Sequence, residues 1–365
     1  MSLYIDVHVL QTVPPSNLNR DDTGSPKTAI YGGVRRARVS SQAWKRATRR
    51  DFSQYLDPTS LGVRTKRAVE LLTMRLRELS PGLDTGAATE LAIQTLKAAG
   101  LKVKTGRKAK DGGTPLTEYL VFFSNLQLER LAALAAESQA KIDSKAVKAV
   151  LKDGHSVDVA LFGRMVTDAA NLNVDAACQV SHALSTHAVA TEFDYYTAVD
   201  DKNPAEETGA VMIGTVEFDS ATLYRYATVD VAALRHNLGE DEATARATEA
   251  FVRSFTLSMP TGKQNTFANR TIPDAVVVMV RTQRPVNLVG AFESAVKGHE
   301  GYVTGSCGAL ANYAKKVDEA FGGAPTDTWI SRVGRGTDAL AVLGETLPFD
   351  ELVSRVGERV RTEQP

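Results

Sequence analysis

The apolar positions of this chain change period several times, and each change marks an element. Residues 4–10, YIDVHVL, alternate Ile5, Val7 and Val9 against Tyr4, Asp6 and His8, which predicts a half-buried strand. A helix is expected from about 41 to 53, opened by Ser40-Ser41. Turned at about 100° per residue, it puts Gln42, Lys45, Arg46 and Arg49 on one face and Ala43, Trp44 and Ala47 on the other. Residues 64–80 carry the helical stripe Val69, Leu72, Leu76, Leu79, stopped by Pro81-Gly82. Residues 87–99 predict a helix ended by Gly100, and 125–137 and 139–152 predict two more. Between them, 102–114 (KVKTGRKAKDGGT) is basic and non-periodic, a loop or hairpin tip. From 155 to about 229 the pattern turns to strands and loops: VDVALFGRM, VMIGTVEF and LYRYATVDV. Residues 192–210, EFDYYTAVDDKNPAEETGA, have no core periodicity and read as a projecting loop. Farther on, 241–259, 287–298 and 347–361 predict helices, and 275–281 (AVVVMVR) a fully buried strand. The order predicts an α+β fold with a discontinuous core domain.

Charge changes this picture at one place. The chain has 365 residues, and its 43 Lys and Arg balance 43 Asp and Glu. That length leaves room for one elaborate domain or two. Yet Arg20 to Arg50 holds nine cations against two carboxylates, Asp21 and Asp22. In a neutral chain such gathering predicts a local site for a polyanion. Gly32-Gly33 would let backbone amides approach a ligand, and the chain then turns into a helix at Ser40-Ser41, helix N-termini being natural phosphate sites. A solvated basic loop is the plainer alternative. If the site grips a nucleic-acid backbone, affinity falls steeply with salt; roughly 6–10 phosphate contacts cost about 10³–10⁵ between low and moderate salt.

Other chemistry is sparser. Cys178 and Cys307 lack metal-knuckle spacing; free thiols in a reducing cytoplasm fit best, with one disulfide as the alternative. None of the six histidines has HExxH spacing, so neither a metal nor a cofactor is expected. No stretch reads as a membrane span, and Met1–Leu10 lacks the basic flank of a signal peptide. Met165, in Gly163-Arg164-Met165, and Tyr195-Tyr196 are either core residues or a wedge and stacking platform for single-stranded nucleic acid. Lys141, Lys145, Lys148 and Lys152 share one helical face, either solvated or a second nucleic-acid track. Lys263-Gln264-Asn265-Thr266, after Pro260-Thr261-Gly262, suits contacts to phosphate or ribose. Asp21-Asp22 could hold Mg²⁺ and cut RNA, or could simply pair with nearby arginines. There is no Walker motif, GxSxG or triad.

Five stretches, in order, carry a resemblance: HVL…LNRDD…KxAIxGGxRRxRxSSQxxKRAxR at 8–49, GRM at 163–165, SHALSTH…D…TAVDD at 181–201, GTxEF…YRYA at 214–227 and GKQxTxA at 262–268. With these the chain resembles the CasC family, the backbone subunit of the type I-E CRISPR Cascade surveillance complex. The first stretch is long and specific; the resemblance runs to about residue 300 and leaves the 102–114 loop and the tail unmatched. It implies a hand: a palm like an RNA-recognition-motif (ferredoxin-like) sheet over 1–57, 181–191 and 221–365, helical fingers over 58–180, and a thumb over 192–220. The chain shows no RNP aromatic strand, so binding is expected at loops and the basic helix.

The resemblance further implies a non-catalytic, cytoplasmic subunit that stacks in a helical hexameric filament along the spacer of the guide crRNA. Protein would hold the backbone while bases pair with target DNA in antiviral defence. Partners implied are the guide, target DNA, further copies of the chain, other Cascade subunits and, indirectly, a helicase-nuclease. By position, Arg20, Lys27, Ser40, Gln42, Lys45 and Arg49 are implied to contact phosphate and ribose. Met165 and Tyr196 would wedge at a kink in the RNA, beside Thr197, and Arg46, Arg164, Lys263 and Gln264 complete the set. The lysine face from Lys141 to Lys152 becomes a candidate DNA track. Backbone subunits of type III complexes cut RNA with a loop aspartate and a metal, so Asp21 and Asp22 carry the alternative function.

Overall fold

A computed structural model describes residues 2–104, 115–138, 142–167, 169–198, 212–298 and 300–363. The chain opens with β1 (Tyr4–Ser16), the hairpin β2 (Thr28–Tyr31) and β3 (Val34–Val39), and helix α1 (Ser41–Asp51). An insertion follows: β4 (Gly62–Thr65), α2 (Ala68–Leu79), α3 (Thr85–Ala98), β5 (Val103–Lys104), β6 (Leu116–Thr117), β7 (Val121–Ser124), α4 (Asn125–Glu137), α5 (Ser144–Lys152) and α6 (Val157–Phe162). The chain then returns through β8 (Cys178–Val180), β9 (Ala183–Ser185), β10 (Glu192–Ala198) and β11 (Met212–Asp230) to α7 (Val231–Leu238), α8 (Asp241–Leu257) and the single turn α9 (Gln264–Phe267). It ends with β12 (Ala275–Arg281), α10 (Val303–Phe321), β13 (Asp327–Arg332), β14 (Glu345–Thr346) and α11 (Phe349–Thr362).

One large sheet organises the molecule, in the order β14-β13-β12-β1-β11-β9-β3-β2, with β8 and β10 also paired to β11. Its pairs are antiparallel except β13 with β14. In the central register Val7 sits between Ala227 and Val278. Both central faces are covered. Ile5, Val7, Val276, Val278 and Val280 pack under α8 and α11 with Phe251 and Val356, while Leu10, Val277, Met279 and Tyr224 pack under α10 with Leu310 and Ala314. A strand covered on both faces has no polar alternation, which is why β12 reads as a continuous apolar run. The insertion has its own core, built from Val69, Leu72, Leu76, Leu96, Leu128, Leu131 and Leu151. Cys178 and Cys307 are both buried and free.

Several expectations are corrected. Residues 157–162 form α6 rather than a strand; Val157 through Leu161 are all buried, so the helix shows no polar stripe, and Gly163 at φ 77° ends it. Residues 287–298 yield only a short 3₁₀ turn, Leu288–Phe292, after which Val296 N–H leaves to pair with the Thr186 carbonyl. The long helix α10 gives little signal because Gly305 and Gly308 lower its propensity. Residues 192–198 are a strand, and the signals at 212–218 and 223–230 belong to one 19-residue strand. Strand β10 has no core periodicity because it is exposed along its whole length. The first helical stripe begins only at Ala68, and its Leu79 is 55% exposed. The tip of the 102–114 loop, residues 105–114, lies outside the described residues.

Candidate nucleic-acid interface

Helix α1 starts where Ser40 Oγ accepts from the Ala43 N–H, and Ser40's own N–H donates to Asn19 Oδ1 at 2.9 Å. That second bond ties the basic loop to the helix start. Arg49 and Arg50 occupy the last turn, where cations suit the helix dipole. Trp44, Thr48 and Asp51 are the buried positions, so the cations of the helix project away from the core.

Two clefts flank this helix. The first, about 1180 Å³, lies between α1, the loop at 18–27 and the segment 258–263. Its cations are Arg20, Lys27, Arg46, Arg50, Lys263 and Arg270, against Asp21, Asp22 and Asp51. The second, about 670 Å³, lies between α1 and the insertion. It gathers Lys45, Arg46, Arg49, Arg64 and Arg164, against Asp175, above an apolar floor of Leu120, Phe122, Phe162 and Met165. Gln42 and Arg46 line both, so the clefts form one groove across the helix. Lys45 lies 5.8 Å from the Phe162 ring and Arg49 5.1 Å from Phe122, a cation–π arrangement that leaves their charge unneutralised. Burial pulls the Arg49 pKa below its usual value; crowding by Arg64, Arg46 and Arg50 adds to this and Asp158 opposes it. Among the described residues none of these groove cations forms an ion pair with a carboxylate.

The opposite wall is held by close backbone packing. A Cβ on Gly262 would lie 2.3 Å from the Leu18 carbonyl oxygen, so only glycine lets the 258–263 segment approach the basic loop this closely. Asn17 Nδ2 anchors that loop by donating to the carbonyls of Gly24 and Glu217. A groove lined by unpaired cations and crossed by one helix is suited to a phosphate backbone.

Residues 5–355 match the family model described as CT1975-like protein, Cas_CT1975. The chain belongs to this family. It is similar to a chain of a "CRISPR RNA-guided surveillance complex, pre-nicking", at 35% identity and a TM-score of 0.87, covering 98% of this chain and 100% of that one. A chain from a second structure, titled "CRISPR RNA-guided surveillance complex", aligns at 31% identity and TM-score 0.77, covering 98% and 99%. No curated protein matches.

In this CT1975-like chain the expected residues divide. Arg20, Lys27, Ser40, Gln42, Lys45, Arg46, Arg49, Met165 and Lys263 all line the groove, and Met165 is 84% exposed. Ser40's hydroxyl is engaged as the helix cap. Gln264 lies outside the lining, at the start of α9. Tyr196 and Thr197 stand on β10, away from both clefts; the Tyr196 ring covers Gly214 on the facing strand.

Arg164 also lines the second cleft, but from within the insertion. It is 4% exposed, and its guanidinium donates to the carbonyls of Leu172 and Leu151, both at 2.7 Å, and to Gln127 Oε1. It braces the insertion behind Met165. Gly32 and Gly33 both have positive φ and form the exposed β2–β3 turn, outside the lining of both clefts; a Cβ on Gly32 would meet the Glu293 carbonyl. Asp21 does not pair with arginine; its Oδ1 accepts from the Thr23 and Ser25 N–H groups and the Thr23 hydroxyl, which hold its pKa below the usual range. Lys145, Lys148 and Lys152 are on α5, apart from both clefts, and Lys141 lies outside the described residues.

Sequence reasoning missed Arg64 and Arg270 as groove residues. Arg270 has no charged neighbour of its own sign, and Arg64, close to Lys66 and Arg67, falls within the stretch whose apolar stripe predicts a helix.

Proposed function

We propose that this chain is a guide-RNA-binding backbone subunit of a Cascade-type surveillance complex, of the type I-E kind. The observation that carries the reading is the groove of unpaired cations around α1, in a chain that aligns along nearly all its length with subunits of RNA-guided surveillance complexes. The grip is on backbone, leaving base edges free for pairing with target DNA. The strand order β12-β1-β11-β8/β9, with α1 between β1 and β8 and α8 between β11 and β12, supports an RNA-recognition-motif-like palm. That palm comprises 1–57, 181–191 and 221–365. Its sheet cannot serve as an RNA platform, because α10 covers the second face. The insertion over 58–180 forms the fingers and 192–220 the thumb. Copies stack along the spacer, with Met165 of one copy and Tyr196 of another wedging at a kink. The exposed Lys145 and Lys152 fit a track for the target strand.

The chain itself does no cutting in this reading; Asp21 serves its own turn. A matched RNA target incubated with the complex and Mg²⁺ should stay intact, whereas cleavage lost in Asp22→Ala would make it a nuclease. The decisive test of assembly is co-expression with a guide RNA and the partner subunits, then sizing and sequencing of the bound RNA. A large discrete particle holding one RNA species is expected. A small particle carrying random RNA would overturn the reading.

A further inference from the structure

Arg225 lies in the YRYA stretch, behind the groove, and is 1% exposed. Nη1 donates to Gln11 Oε1 at 2.6 Å and to the Thr256 carbonyl at 3.3 Å, and Nη2 donates to the Phe255 carbonyl. Its guanidinium stacks 3.7 Å from the centre of the Trp44 ring and 4.7 Å from that of Phe255. Among the described residues no carboxylate pairs with it, and burial pulls its pKa down to about 9. The charge is instead met by carbonyls in the last turn of α8, the negative end of that helix's dipole.

These partners belong to both walls of the groove. Trp44 is the buried face of α1, one wall. Phe255 and Thr256 end the helix that runs directly into 258–263, the other wall. Gln11 extends the network, its Nε2 donating to the Thr271 carbonyl at 3.0 Å and approaching Met259 Sδ at 3.3 Å, beside Arg270 and within the second wall. We propose that Arg225 is a positioning residue that sets the distance between α1 and the 258–271 wall, and thereby the spacing of the phosphate-binding cations. Lysine would keep the charge, but one ammonium cannot stack flat on Trp44 while reaching two α8 carbonyls and Gln11.

The inference rests on the guide-RNA reading, so both are tested together on the full chain with labelled poly-uridylate RNA. Affinity is measured across a salt series for Arg225→Lys, for Lys45→Ala with Arg49→Ala, and for Leu310→Ala, a core truncation on the far face of the sheet. All are assayed below their melting temperatures. Arg225→Lys should bind at least tenfold more weakly with a shallower salt slope, while Leu310→Ala keeps the native slope. Native affinity and slope in Arg225→Lys, or an equal loss in Leu310→Ala, would sink the positioning role while the groove double variant still binds poorly. If that double variant binds like the native chain, the RNA reading fails and this inference with it. Should Arg225→Lys not fold, Gln11→Met, which removes one arm of the network at similar volume, is held to the same comparison with an expected loss of at least threefold.

Discussion

Two groups of cations in this protein use the same residue types and end in opposite states. Along α8 and α11 they are paired: Arg235 with Asp241, Arg253 with Asp350, Arg359 with Asp327 and Glu363, and Arg361 with Glu242 and Glu249. Hydrogen bonds that Arg361 donates to Glu242 and Glu249 hold its pKa above the usual value. Around α1 no such pairing occurs among the described residues, and the Arg49 pKa moves the other way. A cation already neutralised within its own chain contributes to the surface and little else. A crowd of unneutralised cations repels itself and gains its counterions only from outside. The number of positive residues therefore says less about a nucleic-acid site than whether the fold leaves them unpaired.

The sharpest way to break this comparison is to delete from each group. Lys45→Ala with Arg49→Ala should cost about 10²-fold in RNA affinity, if each charge-assisted contact is worth about 1.4 kcal/mol, and lower the salt slope by about 1.4 in all. The melting temperature should fall only slightly, because no ion pair is lost and only the two cation–π contacts go. A filter-binding series checks affinity and a thermal melt checks the fold; loss confined to one RNA sequence would contradict backbone gripping.

Gly262→Ala tests the wall rather than the charge. The new Cβ meets the Leu18 carbonyl, so the segment must move, at a cost of about 1–3 kcal/mol in stability. RNA affinity should fall although every cation remains; an unchanged denaturation midpoint would refute the close packing.

A carboxylate sharpens the contrast. Asp219 lines a small void with Lys27 and Arg38, yet burial pushes its pKa up to about 6. A raised folded-state pKa favours the folded state fully below the unfolded value of 3.8, and that advantage is lost as pH rises through about 6. Asp219→Asn should accordingly stabilise the chain by up to about 2 kcal/mol above pH 6 and by nothing below about pH 4. Melts of both forms across pH 4–8 read this out directly. The smallest effect belongs to the paired group: Arg361→Ala should cost under about 1 kcal/mol and leave RNA affinity untouched.

Much of this contrast is legible in the chain. The alternation in β1, the apolar run of β12 and the one-sided α1 are local patterns that the fold keeps. The gathering of Lys and Arg between 20 and 50 is likewise local, and most of it does line the groove. The failures at α6 and β10 share one cause. Helix α6 is buried on every side and β10 on none, so neither has the mixed environment that imprints a period on a sequence. Arg164 and Met165 are adjacent, and nothing local tells that one is 4% and the other 84% exposed.

The sequence by itself thus determined where the positive charge is concentrated, which strands are central and which helix face is apolar, because propensity and periodicity act over a few residues. Only the tertiary structure decided which cations stay unpaired, brought Arg64 and Arg270 to the same groove as Arg46, and turned Arg36, Arg164 and Arg225 inward onto backbone carbonyls. Those outcomes depend on partners up to hundreds of residues away, such as Ser185 and Phe292 for Arg36, and on the cost of burying a guanidinium without acceptors for its donors.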